Sequence, residues 1–407
     1  MFDTFAESTQ IDNIIVIVYF LTHPIQYQSP LIRALGAAGV NVHVVYGPMA
    51  AEWAAHDAEL GREVPWDLPL LVGYSHEFVQ SPFMFGPVGL LCLRSRIKRL
   101  LQRLQPDAVW IHGWGDVYSV AAWNVAWMLG IPVLLRGESH LNCLRGGPLR
   151  RWLHRQILMR CFGTVSRFLA IGSANREFYL RYQVPPRKIV DVPYAVDNAW
   201  FARTDEAIHQ EALEWRDRLG IAKGDMVIGV FGKLKKAKRP DLALRGVALA
   251  AAGLPPEQRP WLVFIGDGPL RERLQKLAVG LYPERTLFLG FQNQTRLPAL
   301  YHMVDLLLLP SDYEPWGLVV NEAMNAARPV IVSDRVGCAQ DLVKPQVNGG
   351  VFRAGDADGL AAVLRPFLAD AALREKAGRD SLSIINNWSF EEDLKGLLQA
   401  INSIEVK

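Results

Sequence analysis

From Ile14 to Leu21 eight consecutive residues are apolar and mostly β-branched, and Thr22-His23-Pro24 closes the run. A run of this kind suits a strand covered on both faces, the condition of parallel strands flanked by helices. Parallel neighbours need a crossover, and one follows. Ser29-Pro30 reads as an N-cap and first-turn proline, Leu31, Ile32 and Leu35 recur at helical spacing, and Gly39 ends the helix before a second apolar stretch, Val40 to Tyr46. The rhythm returns in Asp107 to His112, a helix through Ala121 to Leu129, Pro132 to Leu135, and Phe168 to Ile171 with a helix opened by Ser173. It lapses over Val190 to Asp197 and restarts at Met226 to Phe231. Strands then follow at Trp261 to Ile265, 286–289, Leu306 to Leu309 and Pro329 to Ser333, with helices over 239–251, 269–279, 295–302 and 317–326. This alternation predicts an α/β chain of two doubly wound, Rossmann-like domains facing a cleft, residues 1–197 and 198–385. The 407 residues suit two domains of about 190 each.

Lysine and arginine number 44 against 41 acids, a net charge of +3, so no nucleic acid or other bulk polyanion is expected as a partner. The longest apolar run falls far short of the ~20 residues of a membrane-spanning helix. The first dozen residues carry Asp3, Glu7 and Asp12 and no basic residue, unlike a secretory signal, so a cytoplasmic protein is expected. Cys92, Cys143, Cys161 and Cys338 match no metal-binding or disulfide spacing and read as reduced core residues. No H-E-x-x-H or clustered His/Asp tract is present, and no protein-bound metal is expected.

Ligands of open α/β sheets bind beyond the carboxyl ends of the strands. After 226–231 the chain reads Gly232-Lys233-Leu234-Lys235-Lys236-Ala237-Lys238-Arg239, five cations in eight residues before a helix, where lysines and free N–H groups favour phosphate oxygens. Gly266-Asp267-Gly268-Pro269, a glycine turn opening a helix, follows the next strand. After 306–309 comes Ser311-Asp312-Tyr313-Glu314-Pro315-Trp316-Gly317-Leu318, then Asn321-Glu322-Ala323-Met324. Glu314 falls in the loop and Glu322 two turns into the helix, a costly place for a carboxylate unless it meets hydroxyl donors.

These motifs resemble the retaining family-4 glycosyltransferases of the GT-B fold, whose signature is two glutamates separated by seven residues, E-x-F/W-G-L at the first and E-A-M at the second. Resemblance is close from Met226 to Leu342 and looser elsewhere: Tyr194-Ala195-Val196-Asp197 stands where the family has Asn-Gly-Val-Asp. The resemblance implies that the carboxyl-terminal domain holds a nucleotide-diphosphate sugar, with no further cofactor and no metal. Lys233 and Lys238, beside Gly232, would grip the diphosphate, and Gly317 and Leu318 N–H groups would point at it. Glu322 would bind the ribose and Glu314 a hydroxyl of the transferred sugar. Gly266, Pro315 and Trp316 would complete the donor site, with the base near Phe288 to Phe291. It also implies that 386–407, with Ser389 as N-cap, cross back to the first domain.

In the amino-terminal half, Thr22-His23-Pro24-Ile25-Gln26-Tyr27 replaces a family Gly-Gly pair, His112-Gly113-Trp114-Gly115 follows one strand, and Arg136-Gly137-Glu138-Ser139-His140 another. Three strand ends thus aim His23, His112, and Glu138 with His140 into one cleft. Glu138 falls near where relatives carry a histidine beside the reacting carbon, and is the expected acceptor-side catalytic group. Trp114 is the expected sugar platform, whereas Trp123 and Trp127, four apart, should pack the core. Basic helices over Arg94 to Arg103 and Arg150 to Arg160 read either as membrane-docking or as solvated faces. The function expected is transfer of a sugar to a hydroxyl of a saccharide or lipid-linked acceptor in cell-surface glycan or polysaccharide synthesis, in the cytoplasm or at the inner membrane face. The alternative is a nucleotide-sugar epimerase.

Overall fold

The computed structural model describes residues 15–48, 56–57, 62–63, 66–79, 86–143 and 147–404. Strands β1 (Val16–Leu21), β2 (Asn41–Tyr46), β3 (Ser75–Phe78), β4 (Ala108–His112), β5 (Val133–Arg136), β6 (Arg167–Ala170) and β7 (Ile189–Asp191) form one sheet in the order β3-β2-β1-β4-β5-β6-β7. Strands β8 (Val227–Phe231), β9 (Trp261–Ile265), β10 (Thr286–Gly290), β11 (Leu306–Leu309), β12 (Val330–Ser333) and β13 (Gly349–Phe352) form a second, in the order β10-β9-β8-β11-β12-β13. Pairing is parallel within both, for instance Ile17 with Val42 and with Ala108, and Ile228 with Leu262 and with Leu306. Chain order reverses beside β1 in one sheet and beside β8 in the other. A crevice opens at such a switch point, so the loops after β1, β4, β8 and β11 are the ones placed to hold a ligand.

Alternation along each central strand loads both faces of its sheet. Val18 and Phe20 join the cluster under helices Gly86–Leu104, Val117–Met128 and Pro148–Phe162, while Ile17, Tyr19 and Leu21 join the opposite one. In the second sheet Ile228 and Val230 point one way, and Val227 and Phe231 the other.

Strands β3, β7 and β13 were not expected from the sequence, and all three are edge strands. An edge strand has one neighbour and need not be apolar throughout, so Ser-His-Glu-Phe and Gly-Gly-Val-Phe gave no signal. Three other expectations are corrected. Ser29 is not an N-cap: its helix begins at Gln28, and the Ser29 hydroxyl donates to the Leu70 carbonyl at 2.8 Å. Trp123 is buried, but Trp127 is 53% exposed. Among the cysteines Cys338 is buried, Cys92 half-buried and Cys161 exposed, with the Cys143 side chain outside the described residues. The acidic start of the chain also lies outside them.

Helix Phe390–Asn402, whose Ser389 hydroxyl accepts from the Glu392 N–H at 3.4 Å, packs Leu397, Ala400 and Ile401 against Ile17, Val42 and Leu134 of the first domain. Its Asp393 carboxylate accepts a 2.6 Å hydrogen bond from Arg136 at the end of β5, and neither side chain meets solvent appreciably. Burial works against the charge of Arg136 and is outweighed by Asp393, Tyr19 and Tyr194 together, while on Asp393 burial prevails over Arg136 and raises the carboxyl. Removing one member of a buried pair strands the other, so Asp393→Ala should cost about 3–5 kcal/mol. Glu214→Ala, which breaks the exposed pair with Arg218, should cost less than about 1 kcal/mol. Guanidinium unfolding followed by circular dichroism compares them, and equal losses would show that Asp393 carries no special weight.

Candidate functional site in the interdomain cleft

A cavity of about 480 Å³ lies between the domains, reached by Tyr27, Arg33 and Glu138 from one side and by Lys238, Glu314 and Glu322 from the other. The second-domain wall begins where β8 and β9 end. A Cβ on Gly266 would stand 2.0 Å from the Gly232 carbonyl oxygen, so the two strand-end loops touch backbone to backbone only because position 266 is glycine. The lysine loop is pinned by Arg239, which pairs with Asp241 at 3.0 Å and with Asp312 at 3.0 Å, and by the Asp312 N–H to the Ala237 carbonyl at 2.9 Å. This places the Lys238 ammonium on the Glu314 carboxylate in a direct ion pair.

Glu314 is held from behind: the Gly337 N–H donates to its carbonyl at 3.0 Å. Gly317 has φ +103°, a left-handed turn that ordinary side chains resist, and it swings the chain into helix Leu318–Asn325, with Gly317, Leu318 and Glu322 lining the cavity. Glu322 accepts from the Tyr301 hydroxyl at 2.5 Å, and Tyr301 is itself stacked on Phe231 at 4.0 Å. Burial pushes the Glu322 carboxyl up to about 7, only partly opposed by Tyr301 and the charge of Lys238.

In the first-domain wall, Glu138 accepts from the Tyr194 hydroxyl at 2.5 Å and faces His112 Nε2 at 3.4 Å, while His112 Nδ1 meets the Tyr19 hydroxyl at 3.0 Å. Burial opposes ionisation of Glu138, yet His112, Tyr194 and the charge of Arg136 together hold its carboxyl below the usual range. It is therefore an anion at neutral pH, with Tyr194 fixed above the Arg136 guanidinium at 4.9 Å. His23, bonded to Thr22 Oγ1 at 2.9 Å, is kept neutral by burial and by the nearby His112 and Lys233.

Several residues expected at the site serve the seam between domains. Buried His140 donates from Nε2 to the Glu314 carbonyl at 3.1 Å, joining the two walls. Trp316 is buried over Gly172, its indole N–H donating to Asn321, whose amide donates in turn to the Tyr194 carbonyl at 2.9 Å. Pro315 carries the chain between Glu314 and Trp316. Phe291 meets Trp66 edge-on at 6.1 Å, whereas Phe288 stacks on Phe264 in the core. Trp114 is the clear correction: it packs on Phe178 and Phe162 against Gly137 and does not line the cavity, so it offers no free platform. Sequence reasoning assigned no role to Tyr27, Arg33 or Tyr301. Tyr194 was noted only as part of a motif, and its strand-end position could have signalled it.

Among the described residues no group of three His, Cys, Asp or Glu is placed to hold a metal. Asp356 and Asp358 have a D-x-D spacing, but Asp356 caps helix Ala357–Ala369 by accepting from the Gly359 N–H at 2.9 Å.

Two family models match: the glycosyl transferase 4-like domain over residues 24–195 and glycosyl transferases group 1 over residues 211–381. The chain is 30% identical to N-acetyl-alpha-D-glucosaminyl L-malate synthase of Bacillus anthracis across 82% of this chain and 86% of that protein. It is 32% identical to an uncharacterised glycosyltransferase of Methanocaldococcus jannaschii across 41% of this chain, and spans only 42% of that relative's length. A crystal structure of Anabaena HepE in complex with UDP-glucose superposes with a TM-score of 0.72 over 96% of this chain and 100% of that one, at 16% identity, a likeness of fold.

The raised carboxyl of Glu322 has a consequence for stability. Its pKa in the folded protein, about 7, exceeds the ordinary 4.5, so as pH rises the unfolded chain loses this proton first. The stabilisation is complete below the ordinary value and lost through about 7. Without ligand, Glu322→Gln should therefore gain thermal stability relative to the natural protein as pH rises from roughly 5 to roughly 8. A difference in Tm that stays constant over that range would show an ordinary carboxyl.

Proposed function

The chain belongs to the glycosyl transferases of group 1, and we propose that it is a retaining transferase that moves a sugar from a nucleotide-diphosphate donor to an acceptor hydroxyl. The observation that carries this reading is the second-domain wall: Lys238 paired with Glu314, beside the helix start at Gly317 and Leu318, with a recessed carboxyl at Glu322. A diphosphate fits between the lysine and the helix N–H groups, which stabilise negative charge as it grows on the leaving group without a cation. Lys233 adds a second positive charge near the same strand end. Glu322 accepts ribose hydroxyls in place of its proton, and Glu314 holds a sugar hydroxyl next to the reacting carbon.

With diphosphate departing on the face from which the acceptor arrives, the phosphate oxygen takes the acceptor proton as the new C–O bond forms. No protein base is then required. Glu138, an anion facing the cavity from the first domain, orients the acceptor hydroxyl, with His112 and Tyr194 fixing its carboxylate. The sugar-nucleotide structure of the Anabaena neighbour supports a nucleotide donor, and the names of the curated relatives support transfer rather than epimerisation.

Three variants test the assignment. Glu322→Gln should chiefly raise the donor KM, because it removes binding to a part that does not react. Its donor affinity should also lose the rise with pH through about 7 that the natural protein shows as Glu322 gives up its proton. Glu314→Gln should lower kcat by about 100-fold. Glu138→Gln should reduce transfer while leaving slow donor hydrolysis intact. A Glu314→Gln enzyme with normal kcat would overturn the central role. Activity should survive EDTA, and loss restored by magnesium or manganese would overturn the metal-free mechanism.

A further inference from the structure

In a parallel sheet each crossover helix starts at the carboxyl end of its strand, so the first turns of these helices ring the ligand crevice. Three helices covering one face of the first sheet, Gly86–Leu104, Val117–Met128 and Pro148–Phe162, present bare apolar side chains there. Val88 and Leu91 are 62% and 66% exposed, Val117 64%, Leu149 71%, Trp152 55% and Leu153 49%. Helix Val117–Met128 lies between the other two: Arg94 reaches Met128 Sδ at 3.2 Å on one side, and Trp123 stacks on Phe162 at 6.3 Å on the other. The exposed residues of the first turns therefore share one edge, and Val120, Trp127, Met128 and Ile157, 47–62% exposed, extend the apolar surface down the outer side of the same helices.

Charge on these helices is one-sided. They hold nine lysines and arginines and no aspartate or glutamate, leaving 35 basic residues against 41 acids in the rest of the chain. The overall charge of +3 hides this division. Arg94, Arg96, Lys98 and Arg99 come about one to two turns behind Leu91, and Arg150 and Arg151 stand beside Trp152. An apolar edge backed by cations, with tryptophan at the boundary, matches the layering of an anionic bilayer surface, where apolar groups sink roughly 5–10 Å and cations stay among the headgroups. An acidic protein would satisfy the cations but leave the apolar tips without a matching layer.

We propose that this rim docks the protein on an anionic phospholipid bilayer, with the cleft mouth turned toward the membrane. A lipid-linked acceptor could then keep its chain in the bilayer and offer its hydroxyl to the Glu138 wall. That consequence rests on the transfer reading above; membrane binding itself does not.

The test uses the full chain and flotation with vesicles of phosphatidylcholine alone or containing about 30% phosphatidylglycerol. Binding is expected to the anionic vesicles only and to weaken with salt as the Debye length contracts toward about 8 Å at physiological ionic strength. The triple variant Leu149→Ser, Trp152→Ser, Leu153→Ser should lose at least about tenfold in affinity, since each apolar side chain contributes on the order of a tenfold factor on leaving water. Val88→Ser with Leu91→Ser, on a different helix, should weaken binding independently, and it decides the matter should the triple variant melt early. Val279→Ser, an exposed apolar residue of the second domain, should bind as the natural protein does. The proposal is overturned by failure to float at low salt, by equal binding to uncharged vesicles, or by rim variants that float unchanged. It is overturned too if sedimentation shows a dimer that the rim variants dissociate, because the rim would then be covered by a second copy. Donor affinity measured on the same variants should be unchanged, which separates failure of docking from failure of the transfer reading.

Discussion

Arg136 holds the first-domain wall together. Its guanidinium is sealed between the end of β5 and the final helix, where Asp393 and the Val192 carbonyl accept its hydrogen bonds. Tyr194 lies over that guanidinium and directs its hydroxyl to Glu138, while its carbonyl accepts from Asn321 of the other domain. A buried charge of this kind adds little net stability compared with an apolar group of the same shape. It fixes position instead. The last helix, the strand end, the Glu138 carboxylate and the domain seam all meet at one residue, so the return of the chain to the first domain is part of the cavity's construction.

The two walls treat their carboxylates in opposite ways. Glu138 receives two hydrogen bonds and a nearby positive charge, which overcome burial and keep it ionised. Glu322 receives one strong bond from Tyr301 and stays largely desolvated, which favours its proton. Between these two carboxylates, Lys238 is ion-paired with Glu314. Under the proposed function, an incoming diphosphate would compete for that ammonium and free the Glu314 carboxylate for a sugar hydroxyl, one exchange of partners on a single lysine.

How much of this was legible in the sequence depended on whether a feature is local. Central strands such as Trp261–Ile265 and Leu306–Leu309 were read to the residue, because strands buried on both faces must be apolar throughout. Three of the four edge strands escaped because one side lacks a neighbour, whereas the more apolar Thr286–Gly290, also an edge strand, was read at 286–289. In the site, Glu314, Glu322 and Lys238 were visible because they sit in one motif-bearing stretch. The Arg136–Asp393 pair, 257 positions apart, was invisible, since nothing local distinguishes an arginine ending a buried strand from one entering solvent. Trp114 failed for the converse reason: a tryptophan after a strand suits a sugar platform equally well whether or not Phe178 and Phe162 already cover it.

The seam also limits how the cleft can open. The chain crosses between domains near Asn198 and again near Trp388, and these crossings are fastened together: Asn198 donates to the Trp388 carbonyl at 3.2 Å and accepts from Asn325 at 3.0 Å. Among the described residues the other contacts include several polar ones and the edge-on Trp66–Phe291 pair. Ser173 donates to Asp341, Thr295 to Asp67, and His140 to the Glu314 carbonyl. Polar contacts of this sort exchange readily for water, whereas the Trp316 ring wedged over Gly172 and beside Trp388 does not. Opening would therefore pivot about the tryptophans and release the polar contacts. Because one of those contacts ends on the backbone of Glu314, the carboxylate paired with Lys238 is held in place by the first domain only while the cleft is closed.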